Sequence, residues 1–196
     1  DMKTPGITIH PLINLMALAS SIRFVSGRPR VFKENLVGEK NRGWYELMIA
    51  LDHERSPSGG VIGFQRTLEE LVAYARERNR DKDPIIRQKL AQIAVEMEVA
   101  RMLAYRVAWM YSKDLHPNYE ASISFVFMME LMRRLANVGM DIAGPYGQLE
   151  MDSKWTVLHG RIERAYLSAV SIGVGGGTNE IQRNIIAQRG LGLPRR

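Results

Sequence analysis

From Asn41 onward, apolar residues recur every three or four positions, which is the spacing of one face of an α-helix. The pattern is interrupted at glycine, proline and polar clusters, so we expect separate helices with short connections. Such helices favour an antiparallel bundle. The predicted helices cover about 42–78 (loosened at 56–60), 84–112, the stretch after Pro117 as far as Gly144, 155–172 and 178–190.

Three stripes of apolar residues predict the buried faces of this bundle. Met128, Met129 and Met132 lie on or beside the third stripe, and methionine usually fills irregular cores or subunit contacts. Apolar residues on more than one helical face also predict an oligomer. The stripes are Leu68, Leu71, Val72 and Ala75; Ile86, Leu90, Ile93 and Met97; and Ile123, Phe127, Leu131, Leu135, Val138 and Ile142.

The first 38 residues have a different pattern. The segment 6–12 alternates β-branched with other residues and predicts a strand, whereas Gly27 and Pro29 break up the next stretch of chain. We therefore predict an all-α fold, an antiparallel helical bundle over 39–196, preceded by a short β segment over 1–38.

Composition narrows the class of protein. The 196 residues are 45% hydrophobic and 24% charged, as in an ordinary globular domain, and contain no cysteine. Neither a signal peptide nor an apolar run of about 20 residues is evident, so a cytoplasmic location is the default expectation. The four histidines are too widely spaced to predict a metal site: His10, His53, His116 and His159.

The net charge of +6 raises the alternative of a nucleic-acid-binding protein. However, basic residues are spread along the chain and alternate with acids over 77–83, without interleaved aromatic residues for base stacking. A solvated helical surface that also contacts phosphorylated cofactors accounts for this charge. Nucleic-acid binding is therefore the weakest of the alternative functions.

The most specific segment is 175–195, GGGTNEIQRNIIAQRGLGLPR. Its glycines allow close approach of the backbone to a ligand, and Thr178 is a good N-cap for the following helix. A helix start of this kind can bind an anion, although a bare glycine turn before a threonine more often marks a capped terminal helix that binds nothing.

The whole tail string resembles the C-terminal signature of the acyl-CoA dehydrogenases, flavoenzymes that desaturate acyl-CoA thioesters. The resemblance extends over the chain: segment 5–12 is similar to the end of the family's middle β domain, and 33–38 with Trp44 to the start of its helical domain. Segments 51–56 and 63–78 are similar to the first helices of that domain. It implies a C-terminal helical bundle preceded by the end of the β domain, in a chain that is short for a complete enzyme.

The resemblance also implies a catalytic base. In the commoner arrangement a glutamate precedes the Gly-Thr of the tail, but here that position is Gly176, which has no side chain. In the other arrangement the glutamate lies on the first helix, where Glu54 matches it. Arg55 beside it matches a residue that positions the acyl-CoA or the base, and Asp52 is the alternative base.

For the cofactor, FAD, the resemblance implies contacts from Thr178, Asn179 and Glu180, with Gly177 near the substrate thioester. Arg78 is the matching candidate for a flavin phosphate, with Arg80 as its alternative, although 79–84 departs from the family pattern.

The implied function is therefore FAD-dependent α,β-desaturation of an acyl-CoA, with electron-transfer flavoprotein as acceptor. The run 83–88 resembles members that act on bulky acyl chains, including steroid side chains, some as mixed tetramers. The partners would be acyl-CoA and a second subunit in a homo- or hetero-oligomer. The alternative function is a noncatalytic helical subunit without a complete flavin site of its own.

Overall fold

The computed structural model describes residues 7–15, 21–26, 32–54, 60–171 and 173–195. The chain divides into two compact units, Asp1–Ile49 and Ala50–Arg196. The boundary between them falls inside the first helix.

In the first unit, strand β1 (Ile7–Leu12) pairs antiparallel with β2 (Ser21–Ser26), and Ile7 lies opposite Ser26. The strand predicted at 6–12 is confirmed over Ile7–Leu12. β2 was not predicted, because Gly27 and Pro29 indicate an interruption of regular structure. Both residues follow Ser26, the last residue of the strand, so they do not interrupt it. A short 3₁₀ turn (Lys33–Asn35) and the start of α1 (Gly43–Glu54) follow.

The second unit is a helical bundle, as predicted, made of α2 (Gly60–Glu77), α3 (Pro84–Ser112), α4 (Tyr119–Ala143), α5 (Arg161–Ala169) and α6 (Asn179–Ile185). The last helix continues as a π turn, Ile186–Gly190. α4 packs against α2, α3, α5 and α6, so it is the central helix of the bundle. Among the described helices, none combines the length and the apolar character required to cross a bilayer.

The core of the bundle confirms most of the predicted stripes. All four residues of the α3 stripe are buried, and so are the α4 residues from Leu131 to Ile142 that belong to its stripe. Val72, Ile123 and Phe127 are only partly buried, at the edges of the packed faces. Met128 is fully buried, and Met129 and Met132 pack against the core from its margin, as the methionine pattern predicted.

The predicted helix over 155–172 is wrong in its first part. Leu158, His159 and Gly160 all have positive φ (46°, 56° and 74°), so the backbone turns there and α5 begins only at Arg161. A Cβ atom at Gly160 would lie 2.9 Å from the backbone Cα of Met151. This position requires glycine for its conformation and its close approach, a constraint that apolar spacing does not reveal.

The start of α3 yields a stability prediction. The Asp83 carboxylate accepts a hydrogen bond from the backbone N–H of Ile85 at 2.9 Å, and Pro84 occupies the first helical position. Asp83→Ala is expected to lower the free energy of unfolding by about 1 kcal/mol, because that N–H loses its acceptor. Urea unfolding measures the change. Asp83→Asn, which keeps an N-cap acceptor, should remain close to wild type, and an equal loss in both variants would contradict the capping explanation.

Candidate functional site

The tail corner, residues 173–182, is a glycine turn that leads into α6. Gly176 and Gly177 have φ values of +67° and +98°, a region that residues with a side chain rarely adopt. The Thr178 hydroxyl accepts a hydrogen bond from the N–H of Ile181 at 3.3 Å, so the predicted N-cap is confirmed. The corner therefore has a defined backbone path that depends on its glycines.

The buried side chain of Gln182 stabilises the tail corner through hydrogen bonds. Its side chain is completely buried, and its amide nitrogen donates to the carbonyl oxygens of Gly176 (3.0 Å) and Gly177 (3.4 Å). The backbone N–H of Asn179 donates to the Gly173 carbonyl at 3.1 Å. One side chain from the first turn of α6 thus fixes the two carbonyls that precede the cap.

Two buried oxygens of the corner have no hydrogen-bond partner, Asn179 Oδ1 and Gln182 Oε1. Asn179 is only 7% exposed, and its Oδ1 would lie 3.0 Å from a Cβ atom at Gly173. Buried polar atoms are normally hydrogen-bonded. Each of these two oxygens can therefore still accept a hydrogen bond from an N–H or O–H group.

The corner and α6 are attached to α4. Arg183 forms an ion pair with Glu130 of α4. A Cβ atom at Gly176 would lie 3.4 Å from the Phe125 ring, and a side chain at this position would therefore contact α4 directly. The tail is thereby anchored to the central helix of the bundle.

The surface of the corner carries a carboxylate. Glu180 is exposed, and hydrogen bonds from its own backbone N–H and from the Thr178 side chain hold the pKa of its carboxyl below the ordinary value. The N–H groups of Glu180 and Ile181 are thus already engaged. Two of the N–H groups that an anion at this helix start would need as hydrogen-bond donors are therefore already in use.

The other predicted site residues lie on separate elements. Glu54 is the last residue of α1 and is exposed. Arg78 follows α2, is exposed, and places its guanidinium carbon 5.5 Å from the centre of the Tyr74 ring. Arg55 lies outside the described residues. The structure therefore brings Gly177, Thr178, Asn179 and Glu180 together in the tail corner, with Glu54 and Arg78 at the ends of two other helices.

Sequence reasoning missed Gln182 and Phe125, which shape the corner without belonging to its surface. The position of Gln182, one turn after the cap, was the available signal, because a polar residue there can reach back to the turn. Within the described part of the chain, no cluster of three or more histidine, aspartate or glutamate side chains could hold a metal ion.

Gln182→Leu tests this construction. The variant should lose about 1–3 kcal/mol of unfolding free energy, because two carbonyl oxygens near the buried side chain lose their donor. Hydrogen exchange should rise at residues 176–182 and stay unchanged in α3. As a control, Gln188→Leu alters the same residue type on the following π turn and should leave exchange at the corner as in wild type. If hydrogen exchange at residues 176–182 stayed as slow in Gln182→Leu as in wild type, Gln182 would not be what stabilises the corner.

Comparison with known proteins gives a consistent result. Residues 41–191 match the family described as acyl-CoA dehydrogenase, C-terminal domain. The chain is 31% identical over 193 residues to the acyl-CoA dehydrogenase IpdE1 of Mycobacterium tuberculosis, an alignment covering 97% of this chain and 49% of that protein. The chain spans about half the length of the curated relatives it matches.

Solved structures agree on the fold. The steroid acyl-CoA dehydrogenase Tcur3481-Tcur3483 superposes with a TM-score of 0.91 at 26% identity, covering all of this chain and 51% of that one. The ChsE4-ChsE5 complex from Mycobacterium tuberculosis superposes with a TM-score of 0.88 at 28% identity, covering 100% of this chain and 52% of that one. Both are named as assemblies of two subunits.

Proposed function

The chain belongs to the acyl-CoA dehydrogenase family, and from this premise we propose that it supplies the helical part of an enzyme that desaturates acyl-CoA thioesters. FAD is the cofactor that the family implies. The observation that carries the proposal is the tail corner, whose left-handed glycines are fixed by Gln182 within the matched residues 41–191.

The residues of the corner fit a flavin in their chemistry. Asn179 offers a buried, unpaired oxygen that suits an N–H donor of the cofactor, and Thr178 and Glu180 add polar groups at the surface. Gly177 is proposed to lie near the substrate thioester. Arg78, with its exposed guanidinium, is the candidate for a flavin phosphate.

Glu54 is the proposed base. Desaturation requires removal of a proton from the carbon beside the thioester carbonyl, and a positioned carboxylate suits this step. Bound FAD would accept the hydride from the neighbouring carbon. Gly176 has no side chain and cannot be the base. Arg55, beside Glu54, is proposed to position the acyl-CoA. The exposure of Glu54 in this chain means that apolar walls from further sequence or a second subunit would have to enclose it.

Two features support a bulky acyl-CoA and a second subunit. The run 83–88 resembles that of members acting on steroid side chains, and the solved relatives with this fold include two-subunit assemblies, one of which is described as a steroid enzyme. We therefore propose a hetero-oligomer with another acyl-CoA dehydrogenase subunit, and electron-transfer flavoprotein as the acceptor.

The exposure of Glu54 favours one alternative, a noncatalytic subunit that contributes the bundle and its contacts to a partner's site. Preorganised catalysis requires flavin, thioester and base to be held together. A subunit whose carboxylate stays in solvent cannot satisfy that requirement.

Flavin content tests the proposal. The chain purified alone is expected to bind FAD weakly or not at all, because the relatives carry about as much sequence again. Co-expressed with a longer acyl-CoA dehydrogenase subunit, it should give a yellow complex that desaturates acyl-CoA. Absorption spectra and turnover with a dye acceptor measure both outcomes.

Three results would count against parts of this proposal. A flavin absorption band in the isolated chain would contradict the need for further sequence. An active complex whose rate is unchanged by Glu54→Gln would leave only the noncatalytic role. Strong, salt-dependent binding of DNA would favour the nucleic-acid alternative.

A further inference from the structure

Arg183 lies within reach of two carboxylates. Among the ion pairs of the described residues, it pairs with Glu130, so its guanidinium connects α6 to α4. Glu180 lies three residues earlier on α6, about 4.5 Å along the helix axis, and acid–base pairs at this spacing commonly interact on a helix surface. Glu130 and Glu180 are therefore competing partners for one cation.

The carboxylate of Glu180 is engaged at the start of α6 instead. It accepts hydrogen bonds from its own backbone N–H and from the Thr178 side chain, and these bonds hold the pKa of Glu180 below its ordinary value. The nearby charges of Arg183 and Arg133 act in the same direction. A direct ion pair with Arg183 would draw the carboxylate toward the end of the helix and separate it from the Thr178 hydroxyl.

We propose that Glu130 is a positioning residue of the tail corner, because it holds Arg183 away from Glu180 and so keeps the Thr178–Glu180 pair together on the surface for a ligand. The inference rests on the proposed function in one respect, since it takes FAD as the ligand that Thr178 and Glu180 contact. The choice of Arg183 between the two carboxylates is a property of the chain itself and does not depend on FAD.

Glu130 is itself held in place from its other side. Its Oε1 contacts Arg183, and its Oε2 lies 3.9 Å from Nη1 of Arg134. The Nε–H of Arg134 donates to Oε2 of Glu96 on α3 at 2.7 Å, and the Glu96 side chain is only 14% exposed. Charges of alternating sign thus extend from α3 across α4 to α6, and they fix the carboxylate that Arg183 binds.

A positioning role for Glu130 differs from simple anchoring of α6 in its response to substitution. Anchoring is lost equally when either member of the ion pair is removed. Misplacement of Arg183 occurs only when Glu130 is removed, because Arg183→Gln leaves no cation at this position to bind Glu180. The double variant, Glu130→Gln with Arg183→Gln, should therefore behave like Arg183→Gln alone. Comparison of the two single variants separates the two roles.

The position of the Arg183 side chain is measured by NMR on the full chain without flavin. Its protons should show through-space contacts to Glu130 in wild type and to Glu180 in Glu130→Gln. Glu70→Gln is the matched control, because it removes another ion pair between helices, the one with Arg161 of α5, and should leave the contacts of Arg183 as in wild type. An Arg183 side chain that stays away from Glu180 in Glu130→Gln would overturn the proposal.

FAD affinity measures the consequence in the complex with a longer subunit. Glu130→Gln should raise the dissociation constant of FAD about threefold, a change that a partly exposed ion pair can produce, whereas Arg183→Gln and the double variant should stay close to wild type. The melting temperature should fall alike in both single variants. Equal losses of FAD affinity in the two would indicate anchoring alone and overturn the proposal.

Glu180→Gln separates this inference from the function on which it rests. The variant should also weaken FAD binding, because it removes the charge of the proposed contact. If FAD affinity were unchanged in Glu180→Gln, the flavin contact assigned to Glu180 would be wrong, and so would the ligand named here. The NMR contacts of Arg183 would still decide whether Glu130 keeps it away from Glu180.

Discussion

Glu54→Gln is expected to lower the rate of acyl-CoA desaturation by about 10²- to 10⁴-fold while flavin content stays the same, because glutamine keeps the shape of the side chain but cannot accept the substrate proton. The measurement is turnover with a dye acceptor in the flavin-loaded complex that contains this chain. KM for acyl-CoA should change little, since the proposed role is in proton transfer rather than in binding.

Asp52→Asn is the matched control for this experiment. Asp52 lies on the same helix, two residues before Glu54, so the two positions are about 200° apart around the helix axis. The variant should retain most of the activity. If Asp52→Asn were inactive and Glu54→Gln active, the base would have been assigned to the wrong carboxylate.

Leu131→Ala is expected to be the most destabilising of the simple core substitutions, with a loss of about 3–4 kcal/mol in unfolding free energy. Leu131 is 0% exposed and belongs to α4, which packs against four other helices, so neighbouring side chains have little freedom to fill the cavity. The melting temperature should fall by about 10 °C, which calorimetry or circular dichroism measures.

Leu191→Ala removes the same atoms at a position that is 70% exposed and should change the unfolding free energy by less than about 0.5 kcal/mol. Comparable losses in the two leucine variants would contradict the assignment of α4 as the centre of the core.

The helices that could be predicted from the sequence were those with both a periodic apolar face and an end signal. α3 begins at Pro84 and ends at Ser112, as predicted, because a proline suits its first turn and four stripe residues define its buried side. The start of α5 could not be predicted in the same way, since Leu158 and His159 have positive φ values, which residues with a side chain rarely adopt and which apolar spacing does not reveal.

The sequence indicated Thr178, Asn179 and Glu180 as candidate site residues, but it did not indicate that Asn179 is buried. Thr178 as N-cap followed directly from its residue type. Gln182 was not assigned, because the burial of a polar side chain depends on the carbonyls it meets, and these are positioned by the folded turn. The placement of Glu54 against a substrate stays a prediction, because it depends on more than the local sequence around it.

The central position of α4 has a consequence for synthesis on the ribosome. This helix carries buried residues around much of its circumference, and two of the helices that cover them, α5 and α6, are made after it. Until α5 and α6 have both emerged from the ribosome, apolar side chains of α4 remain in contact with water. A nascent chain at that stage is prone to aggregate and is expected to bind chaperones. A stall of translation that leaves α5 and α6 inside the ribosomal exit tunnel after α4 has emerged should therefore promote aggregation, whereas a stall before α4 has emerged should not.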